Sequence, residues 1–557
     1  MKPRLLLCLP ALLLASFIPG VSVAAQQVSC DLQQPPNDPA AQAFRSKDYA
    51  KAYTLYAAAV TQNPHDEDAV VGEVRTLLLQ QKVEDAAVLA EHSFAGQPRS
   101  AKLATVLGEV RFRQGLLGDA VAQYQKAIQI NPCLARTRYD AYRLMRVESM
   151  DASAYHQLQV AHQLSPADPD ISRAWIETLP LNERAQRLQS YLSTSKTLTP
   201  GQRQSLENYS RRLQAVLASK SGVCRVASTT AAATPVPFKF ILSGDSSYSG
   251  VGFDAMVNKK AKARLELDTG ASGILLNRRT AEKAGLVPVS TQSIAGIGDQ
   301  HNSDGYWAYA RNFSIAGLEF QNCLVEVSDR KSVVDVDGLI GTDVFENYRV
   351  QLDFPMRTMN LLPLPPRPGD AAVPGGSLNV TGFGRGAADI APSGASSAQG
   401  IVHYSDRYVA PEMQSWSPFA RIGHQILLNG TLKDQKPRLF LMDTGSNKTY
   451  LSEAAARSVG KVRHDESYRV AGISGEVRNV YTADDVDLTF ANLHHRFHRV
   501  LAISLDRLSA MNGTELSGIL GMQTLVVLTV DIDYRDGLIY VDYNPKHGTN
   551  ANGGFQQ

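Results

Sequence analysis

The residues of this sequence whose context most clearly suggests catalysis are two aspartates, Asp268 and Asp443. Each ends an apolar strand-like run and begins the tripeptide Asp-Thr-Gly. Two carboxyl groups brought within about 3 Å must share one proton, because their like charges oppose full ionisation. One would be ionised and the other neutral, so the pair could supply both the base and the acid for hydrolysis by water.

The segments that follow the two aspartates repeat one another. Eight positions after each aspartate comes a leucine, and 17 positions after it comes a glycine. Farther along, matched features recur in the same order: Ala295-Gly296-Ile297-Gly298 with Ala471-Gly472-Ile473-Ser474-Gly475, Gly338-Leu339-Ile340-Gly341 with Gly518-Ile519-Leu520-Gly521, Val350 with Val530, and Asp353 with Asp533. Duplication of one segment is the simplest explanation.

This order of motifs, from Pro235 to Pro545, resembles the aspartic peptidases of the retroviral and pepsin types. A single Asp-Thr-Gly is weak evidence, since it also occurs as an Asx turn, but two in register are a strong signal. The resemblance implies two related β-rich lobes that form a pseudo-twofold pair, with Asp268 and Asp443 as the catalytic residues.

The resemblance also implies roles for the neighbouring residues. Thr269 and Thr444 would hydrogen-bond across the pseudo-twofold, and Gly270 and Gly445 would permit the tight turn that brings backbone N–H groups to the carboxylates. Gly341 and Gly521 would lie behind these loops. Ser272 and Ser446 complete the predicted active-site loops, and the predicted flaps over a bound peptide are Gly296, Ile297, Gly298, Gly472, Ile473 and Gly475.

The two halves are not equivalent. Ser272 suits the family's position for a hydroxyl that supports the aspartate, whereas Asn447 is its counterpart. Neither predicted flap has the tyrosine of pepsin-like enzymes near its tip. Both departures favour the comparison with the retroviral type.

A 34-residue repeat marks the N-terminal part of the chain. Pro64, Pro98, Pro132 and Pro166 are each 34 residues apart, and twelve residues before each proline stands an alanine. This register resembles the tetratricopeptide repeat, a pair of helices in which the small residue allows close contact and the proline ends the second helix. Four units, capped by the helical stretch from Ile171 to Ser219, predict an α-solenoid with an interaction groove.

The predicted fold class is therefore multidomain, an α-solenoid followed by all-β lobes. The predicted segments are a signal peptide (1–25), a tetratricopeptide-like domain (33–222), a linker (223–236), protease lobe 1 (237–364), a Pro/Gly/Ser/Ala linker (365–400), protease lobe 2 (401–546) and a disordered tail (547–557).

Composition limits the partners and the compartment. A net charge of +2 and the absence of basic runs argue against nucleic acid as a partner. The apolar stretch from Leu5 to Ile18, after Lys2 and Arg4, predicts export to the periplasm or medium, and no later segment is apolar for long enough to span a membrane. Four cysteines would remain, Cys30, Cys133, Cys224 and Cys323, and they allow three disulfide pairings.

The clusters of histidines and aspartates in the second lobe are interpreted as parts of the fold, and no metal or cofactor is predicted. His494, His495 and His498 are assigned to a solvated strand equivalent to Leu318 to Val327, and Asp484, Asp485 and Asp487 to a charged turn. The duplicated halves predict that the lobes pair within one chain and that the protein is a monomer. Two alternatives remain: the lobes could pair between chains, or they could form a non-catalytic exported scaffold that only clamps an extended peptide.

Overall fold

The architecture was analysed in a computed structural model. It describes residues 30–34, 36–195, 198–218, 225–226, 234–243, 247–294, 303–329, 336–368, 405–472, 475–477, 479–544 and 555–556. The predicted signal peptide and most of the predicted linker 365–400 lie outside these residues.

Eleven helices form the described part of the N-terminal region, and they confirm the predicted solenoid. They are α1 Pro39–Arg45, α2 Tyr49–Gln62, α3 Glu67–Leu79, α4 Val83–Gly96, α5 Ala101–Arg113, α6 Leu117–Ile130, α7 Ala135–Val147, α8 Asp151–Leu164, α9 Pro169–Thr178, α10 Leu181–Thr194 and α11 Pro200–Ala218. The helices of the repeats recur at the predicted 34-residue interval.

The periodic residues explain why these helices begin and pack where they do. Asp66, Ser100 and Asp168 accept hydrogen bonds from backbone N–H groups at the starts of α3, α5 and α9. The alanines at the repeated position, Ala52, Ala86, Ala120 and Ala154, are completely buried. A small side chain there lets the paired helices approach closely.

A disulfide joins Cys30 to Cys133, with Cα atoms 5.5 Å apart. Gln33 also binds the segment before α1 to the repeats. Its backbone N–H donates to Leu164 O at 2.8 Å, and its side chain contacts Cys133 O. The segment before α1 is therefore fastened to the third and fourth repeats. Cys323 is also disulfide-bonded, and Cys224 lies outside the described residues.

The first lobe follows the solenoid. Its elements are β1 Arg225–Val226, β2 Thr234–Pro237, β3 Lys239–Ser243, β4 Ser247–Val257, β5 Ala261–Leu267, β6 Ile274–Asn277, α12 Arg278–Ala284, β7 Pro288–Ile294, β8 Ser303–Ile315, β9 Leu318–Ser328, β10 Gly338–Ile340, β11 Arg349–Asp353 and β12 Thr358–Leu362.

The second lobe repeats this order. Its elements are β13 Ser417–Ile422, β14 Gln425–Leu432, β15 Pro437–Met442, β16 Tyr450–Ser452, α13 Glu453–Val459, β17 Val462–His464, β18 Val470–Gly472, β19 Gly475–Val477, β20 Val480–Phe490, β21 Leu493–Ile503, α14 Asp506–Asn512, β22 Gly518–Leu520, α15 Met522–Leu525, β23 Leu528–Asp533, β24 Leu538–Tyr543 and β25 Phe555–Gln556.

A sheet shared by both lobes joins them. Within this 14-stranded sheet, the strands β13, β24, β23, β11, β12 and β2 follow one another in that order. In the antiparallel pair of β11 and β23, Gln351 lies opposite Asp531, its own counterpart in the duplicated sequence. A residue that pairs with its counterpart lies on the pseudo-twofold axis, so the axis passes through the centre of this sheet.

Several predicted boundaries differ from the structure. The predicted linker 223–236 contains β1 and most of β2, because both pair with other strands. Two residues of the predicted disordered tail form β25, which pairs with His494 and His495 of β21. These differences arise from strand pairing across long sequence distances, which local composition does not reveal.

The predicted charged turn at Asp484, Asp485 and Asp487 is wrong. These residues lie within β20, where Asp484 pairs with Arg499 and Asp487 with Arg496. Asp485 has no partner in this register and a φ of 52°. The register of β20 against β21 is the same on both sides of Asp485, so the acidic run does not interrupt the strand.

The three histidines lie on β21, as predicted, but His495 is completely buried rather than solvated. In the part of the chain that the structure describes, no helix combines the length and the apolar character needed to cross a membrane.

Candidate active site

Both Asp-Thr-Gly loops begin where a strand ends beside a parallel neighbour. β5 pairs in parallel with β10, and β15 pairs in parallel with β22. The backbone N–H of Asp268 donates to Ile340 O at 2.9 Å, and that of Asp443 donates to Leu520 O at 3.0 Å. The apolar strands and the downstream Gly-apolar-apolar-Gly motifs thus hold the two aspartates in equivalent positions.

Thr269 and Thr444 connect the two loops through four buried hydrogen bonds. The hydroxyl of Thr269 donates to Met442 O at 2.7 Å, and that of Thr444 donates to Leu267 O at 2.6 Å. Each hydroxyl also accepts the backbone N–H of the other threonine at 3.0 Å. Because every bond crosses the pseudo-twofold, this network sets the separation of the two aspartates.

The structure brings the carboxyl groups of Asp268 and Asp443 together, since a Cβ added to Gly270 would lie 3.1 Å from Asp268 Oδ1 and 3.2 Å from Asp443 Cγ. Asp268 Oδ1 also accepts the Gly270 N–H at 2.8 Å, and Asp443 Oδ1 accepts the Gly445 N–H at 3.0 Å. The predicted proton-sharing arrangement is therefore available to this pair.

The glycines of the loops serve a different purpose from the one expected. Neither Gly270 nor Gly445 has a positive φ, so backbone freedom is not the requirement. A Cβ on Gly445 would lie 2.8 Å from Asp268 Cγ, and one on Gly270 would lie 3.2 Å from Asp443 Cγ. Each glycine is needed because the opposite carboxyl group occupies the space of a side chain.

Gly341 and Gly521 lie behind the loops, where the sequence predicted them. A Cβ on Gly341 would overlap Ala271 O, and one on Gly521 would lie 2.6 Å from Ser446 O. A larger residue at either position would displace the adjoining Asp-Thr-Gly loop.

The two aspartates differ in their electrostatic surroundings. Burial raises the pKa of Asp268, while the Gly270 N–H, the hydrogen bond from Asp443 and nearby His424 act in the opposite direction. Burial and the neighbouring charge of Asp268 raise the pKa of Asp443 well above its ordinary value. The pair therefore keeps a shared proton to a higher pH than a free carboxyl group does, and the upward shift of the pKa is larger for Asp443 than for Asp268.

The supporting serines do not act as the family pattern implies. The hydroxyl of Ser272 is buried and has no hydrogen-bond partner among the described residues, so it does not support Asp268. Instead, Asp343 Oδ1 accepts the Gly273 N–H at 3.0 Å. Ser446 donates to Lys448 O at 2.9 Å.

The predicted flaps lie in hairpins. Gly296, Ile297 and Gly298 belong to the connection between β7 and β8, outside the described residues. In the second lobe, β18 and β19 form a separate two-stranded sheet in which Gly472 pairs with Gly475. Ile473 lies outside the described residues.

Two residues near the dyad were not recognised in the sequence. His424, at the turn between β13 and β14, donates its Nε2 hydrogen to Gly270 O at 2.6 Å, and its buried Nδ1 has no partner within the described ranges. Glu266 is only 2% exposed and lies two positions before Asp268 on β5. Glu266 interrupts an apolar run and was visible in the sequence, whereas no sequence signal marks His424.

A buried ion pair crosses between the lobes near this site. Arg421 Nη2 donates to Glu346 Oε2 at 2.7 Å, and their side chains are 1% and 8% exposed. Arg421 Nη1 also donates to Tyr534 O at 3.2 Å. Arg421 belongs to β13, so the pair anchors the turn that carries His424.

Comparison with known families identifies both parts of the chain. The family model described as aspartyl protease matches residues 253–344 and 428–524. The model described as tetratricopeptide repeat matches residues 43–110. The chain therefore carries an aspartyl protease domain in two segments, preceded by tetratricopeptide repeats.

Similar solved structures cover the helical part. A tetratricopeptide-repeat protein of Thermus thermophilus is 22% identical, with a TM-score of 0.27 over 32% of this chain and 95% of its own. MamA of Desulfovibrio magneticus is 18% identical, with a TM-score of 0.19 over 23% of this chain and 75% of its own. No curated protein matches the chain.

Proposed function

We propose that this protein is an aspartic endopeptidase that hydrolyses peptide bonds with a water activated between Asp268 and Asp443. The observation that carries the proposal is the close approach of these two carboxyl groups, each of which accepts the N–H of the glycine two positions later. Protease-like segments around both aspartates support it.

The unequal surroundings of the two aspartates suggest their roles. Asp268, the ionised member, takes a proton from the attacking water, while protonated Asp443 donates its proton to the carbonyl oxygen of the scissile bond. The tetrahedral species collapses when the amine leaving group receives a proton from the pair. Water attacks directly, so no covalent enzyme intermediate forms.

Substrate binding is proposed to use the two glycine-containing hairpins that the sequence predicts as flaps. An extended peptide would add a strand between the β7–β8 connection and the β18–β19 hairpin. Their glycines would allow the hairpins to close and exclude water. Because both aspartates belong to one chain, the intact monomer would contain a complete site, and the Arg421–Glu346 pair supports pairing of the lobes within the chain.

The solenoid is proposed to recruit the substrate or a partner protein. Tetratricopeptide repeats generally mediate protein interactions, and here the first helices of adjacent repeats carry ion pairs 34 residues apart, such as Arg75 with Glu109 and Arg136 with Asp170. These ion pairs hold charged side chains in place along the first helices of successive repeats. The apolar N-terminal stretch supports export to the periplasm or medium.

The test is hydrolysis of a quenched peptide library between acidic and neutral pH. Wild type should cleave, and both Asp268→Asn and Asp443→Asn should lose activity by at least about 1,000-fold, because each removes one half of the acid–base pair. Pepstatin should inhibit the wild type.

Asp329→Asn provides a matched control, because Asp329 lies in the same lobe and pairs with exposed Arg278. It should cleave like the wild type. If the wild type cleaves nothing, or the dyad variants cleave equally well, the enzyme proposal fails and the peptide-clamp alternative takes its place.

A further inference from the structure

His424 reaches the Asp268 loop from the opposite lobe. It lies at the turn between β13 and β14 and donates its Nε2 hydrogen to Gly270 O at 2.6 Å. A carbonyl oxygen can only accept, so the contact requires the hydrogen to be on Nε2. Burial lowers the pKa of His424, so the ring is neutral near neutral pH. Its Nδ1 is buried without a partner among the described residues, which leaves the bond to Gly270 as the ring's one hydrogen bond within those residues.

The turn that carries His424 is fixed against the first lobe. Gly423 has a φ of 61°, in the left-handed region that favours glycine, and its carbonyl accepts a hydrogen bond from Arg421 Nε at 3.1 Å. The same guanidinium donates to Glu346 Oε2 of the first lobe at 2.7 Å. Arg421 therefore holds both the shape of the turn and its place at the lobe boundary, so that His424 meets Gly270 where the lobes pair.

The hydrogen bond from His424 ends on the peptide group that closes the Asp268 loop. The carbonyl of this peptide group belongs to Gly270, and its N–H belongs to Ala271 and donates to Asp268 O at 3.1 Å. The Gly270 N–H in turn donates to Asp268 Oδ1 at 2.8 Å. A carbonyl that accepts a hydrogen bond makes the N–H of its own peptide group a better donor. His424 therefore orients this peptide group and strengthens the bond that closes the turn around the carboxyl group.

The loop of the second lobe has no such contact. The Ser446 N–H donates to Asp443 O at 3.2 Å, as in the first loop, but among the described residues no hydrogen bond ends on Gly445 O. The two halves also differ in sequence, because His424 stands nineteen positions before Asp443 and Ser249 stands nineteen positions before Asp268. The histidine is thus a feature of one half of the duplication, and it is directed at one loop.

We propose that His424 is a positioning residue for the reaction, which holds the Gly270 carbonyl from the second lobe and thereby fixes the Asp268 loop in the geometry that peptide hydrolysis requires. This inference rests on the proposed endopeptidase function, because it concerns the placement of one of the two reacting carboxyl groups. In this role His424 exchanges no proton with the substrate, so another neutral side chain with an N–H at the same place can replace it.

The test compares peptide hydrolysis by wild type, His424→Leu and His424→Gln. Leucine has no donor, whereas the glutamine amide offers an N–H close to the position of Nε2. His424→Leu should lower kcat by about 10- to 100-fold and change KM little, because a misplaced carboxyl group affects the reaction more than the binding of the peptide. His424→Gln should retain most of the wild-type kcat. An unchanged kcat in His424→Leu, or equal losses in the two variants, would overturn the inference.

His498→Leu is the matched control, since His498 is an exposed histidine on β21 of the same lobe. It should leave kcat unchanged. If His424→Leu fails to fold, His424→Asn carries the same expectation, because its shorter amide does not reach the Gly270 carbonyl.

A second readout does not depend on peptide cleavage. Hydrogen exchange of the backbone N–H groups in residues 268–273 should be about fivefold faster in His424→Leu than in wild type, the factor expected for the loss of one hydrogen bond. In His424→Gln it should stay close to wild type. Residues 443–448, whose loop lacks the contact, should exchange at the same rate in all three proteins.

The two readouts separate this inference from the proposed function. If wild type cleaves nothing but exchange responds in this way, the endopeptidase proposal fails and the action of His424 on the loop stands. Exchange that is unchanged in residues 268–273, or that is equally faster in both loops, refutes that action.

Discussion

At the scale of single residues, the threonines next to the aspartates contribute more to the site than their small size suggests. Thr269 and Thr444 are completely buried, and each hydroxyl both donates to and accepts from the other lobe. The spacing of the carboxyl groups therefore depends on two hydroxyls rather than on the aspartates themselves.

Thr269→Val should lower the free energy of unfolding by about 3 kcal/mol, since it leaves Met442 O and the Thr444 N–H buried without partners. Urea denaturation measures the loss. Thr269→Ser retains the hydroxyl and should lose much less, so equal losses in the two variants would point to packing of the methyl group instead.

The pKa of Asp443 has a second consequence, which concerns stability. The unfolded chain releases this proton above about pH 4, whereas the folded protein retains it. The stability of wild type therefore falls as the pH rises from there toward the raised pKa of the folded state. Asp443→Asn does not titrate and avoids this loss.

Asp443→Asn should consequently have a higher Tm than wild type at about pH 7, and the difference should shrink toward zero near about pH 3. Thermal unfolding across this range provides the measurement. Glu319→Gln, at an exposed position on β9, should not reproduce the trend. A Tm difference that does not vary with pH would contradict the assignment of the proton to Asp443.

At the scale of elements, each loop is shaped by strands that are distant in sequence. β5 meets β10, and β15 meets β22, in parallel pairs that orient the ends of the strands. The loops then approach each other so closely that Gly270 and Gly445 face the opposite carboxyl groups. The glycines are a result of that approach and not of turn geometry.

Gly445→Ala should reduce kcat/KM at least about 100-fold, because its Cβ would press on Asp268 Cγ and shift the carboxyl group from its productive position. Peptide hydrolysis measures the effect. Gly460→Ala is the control in the same lobe, where an added Cβ meets no atom within 4 Å among the described residues. Comparable losses in both variants would mean that the defect is not local to the dyad.

At the scale of the whole molecule, the solenoid packs directly against the second lobe. Its contact is an apolar cluster in which Phe112, Tyr124 and Leu144 lie with Leu439, Leu441 and Tyr450. Thr514 and Glu515 also donate hydrogen bonds to the backbone carbonyls of Phe112 and Arg113. The repeats therefore support β15, the strand that ends at Asp443, in addition to any partner they bind.

The lobes are held together by the shared sheet and by the buried pair of Arg421 and Glu346. Arg421→Met should lower the free energy of unfolding by about 3 to 5 kcal/mol, because Glu346 would remain buried without its partner. Urea denaturation tests this value. Arg457→Met breaks the exposed pair with Glu453 and should change stability too little to measure. If the two variants lose similar amounts of stability, burial of the Arg421–Glu346 pair is not the cause of the loss.

Much of this architecture could be predicted from local patterns. The 34-residue interval predicted the repeated helices, since a helix pair has a characteristic length and needs a small residue at each close contact. The duplicated Asp-Thr-Gly segments predicted two related lobes because the same order of motifs recurs in both. Such features depend on residues near one another in the sequence, so their spacing is sufficient to reveal them.

Only the tertiary structure decided which residues surround the dyad. His424 reaches Gly270 from the other lobe, Arg421 pairs with Glu346 across the lobe boundary, and Asp443 of the second lobe acts on Glu266 of the first. Asp485 likewise lies within a strand because β20 pairs with β21. These contacts join residues far apart in the chain, and burial then gives them their electrostatic effect, which no local spacing encodes.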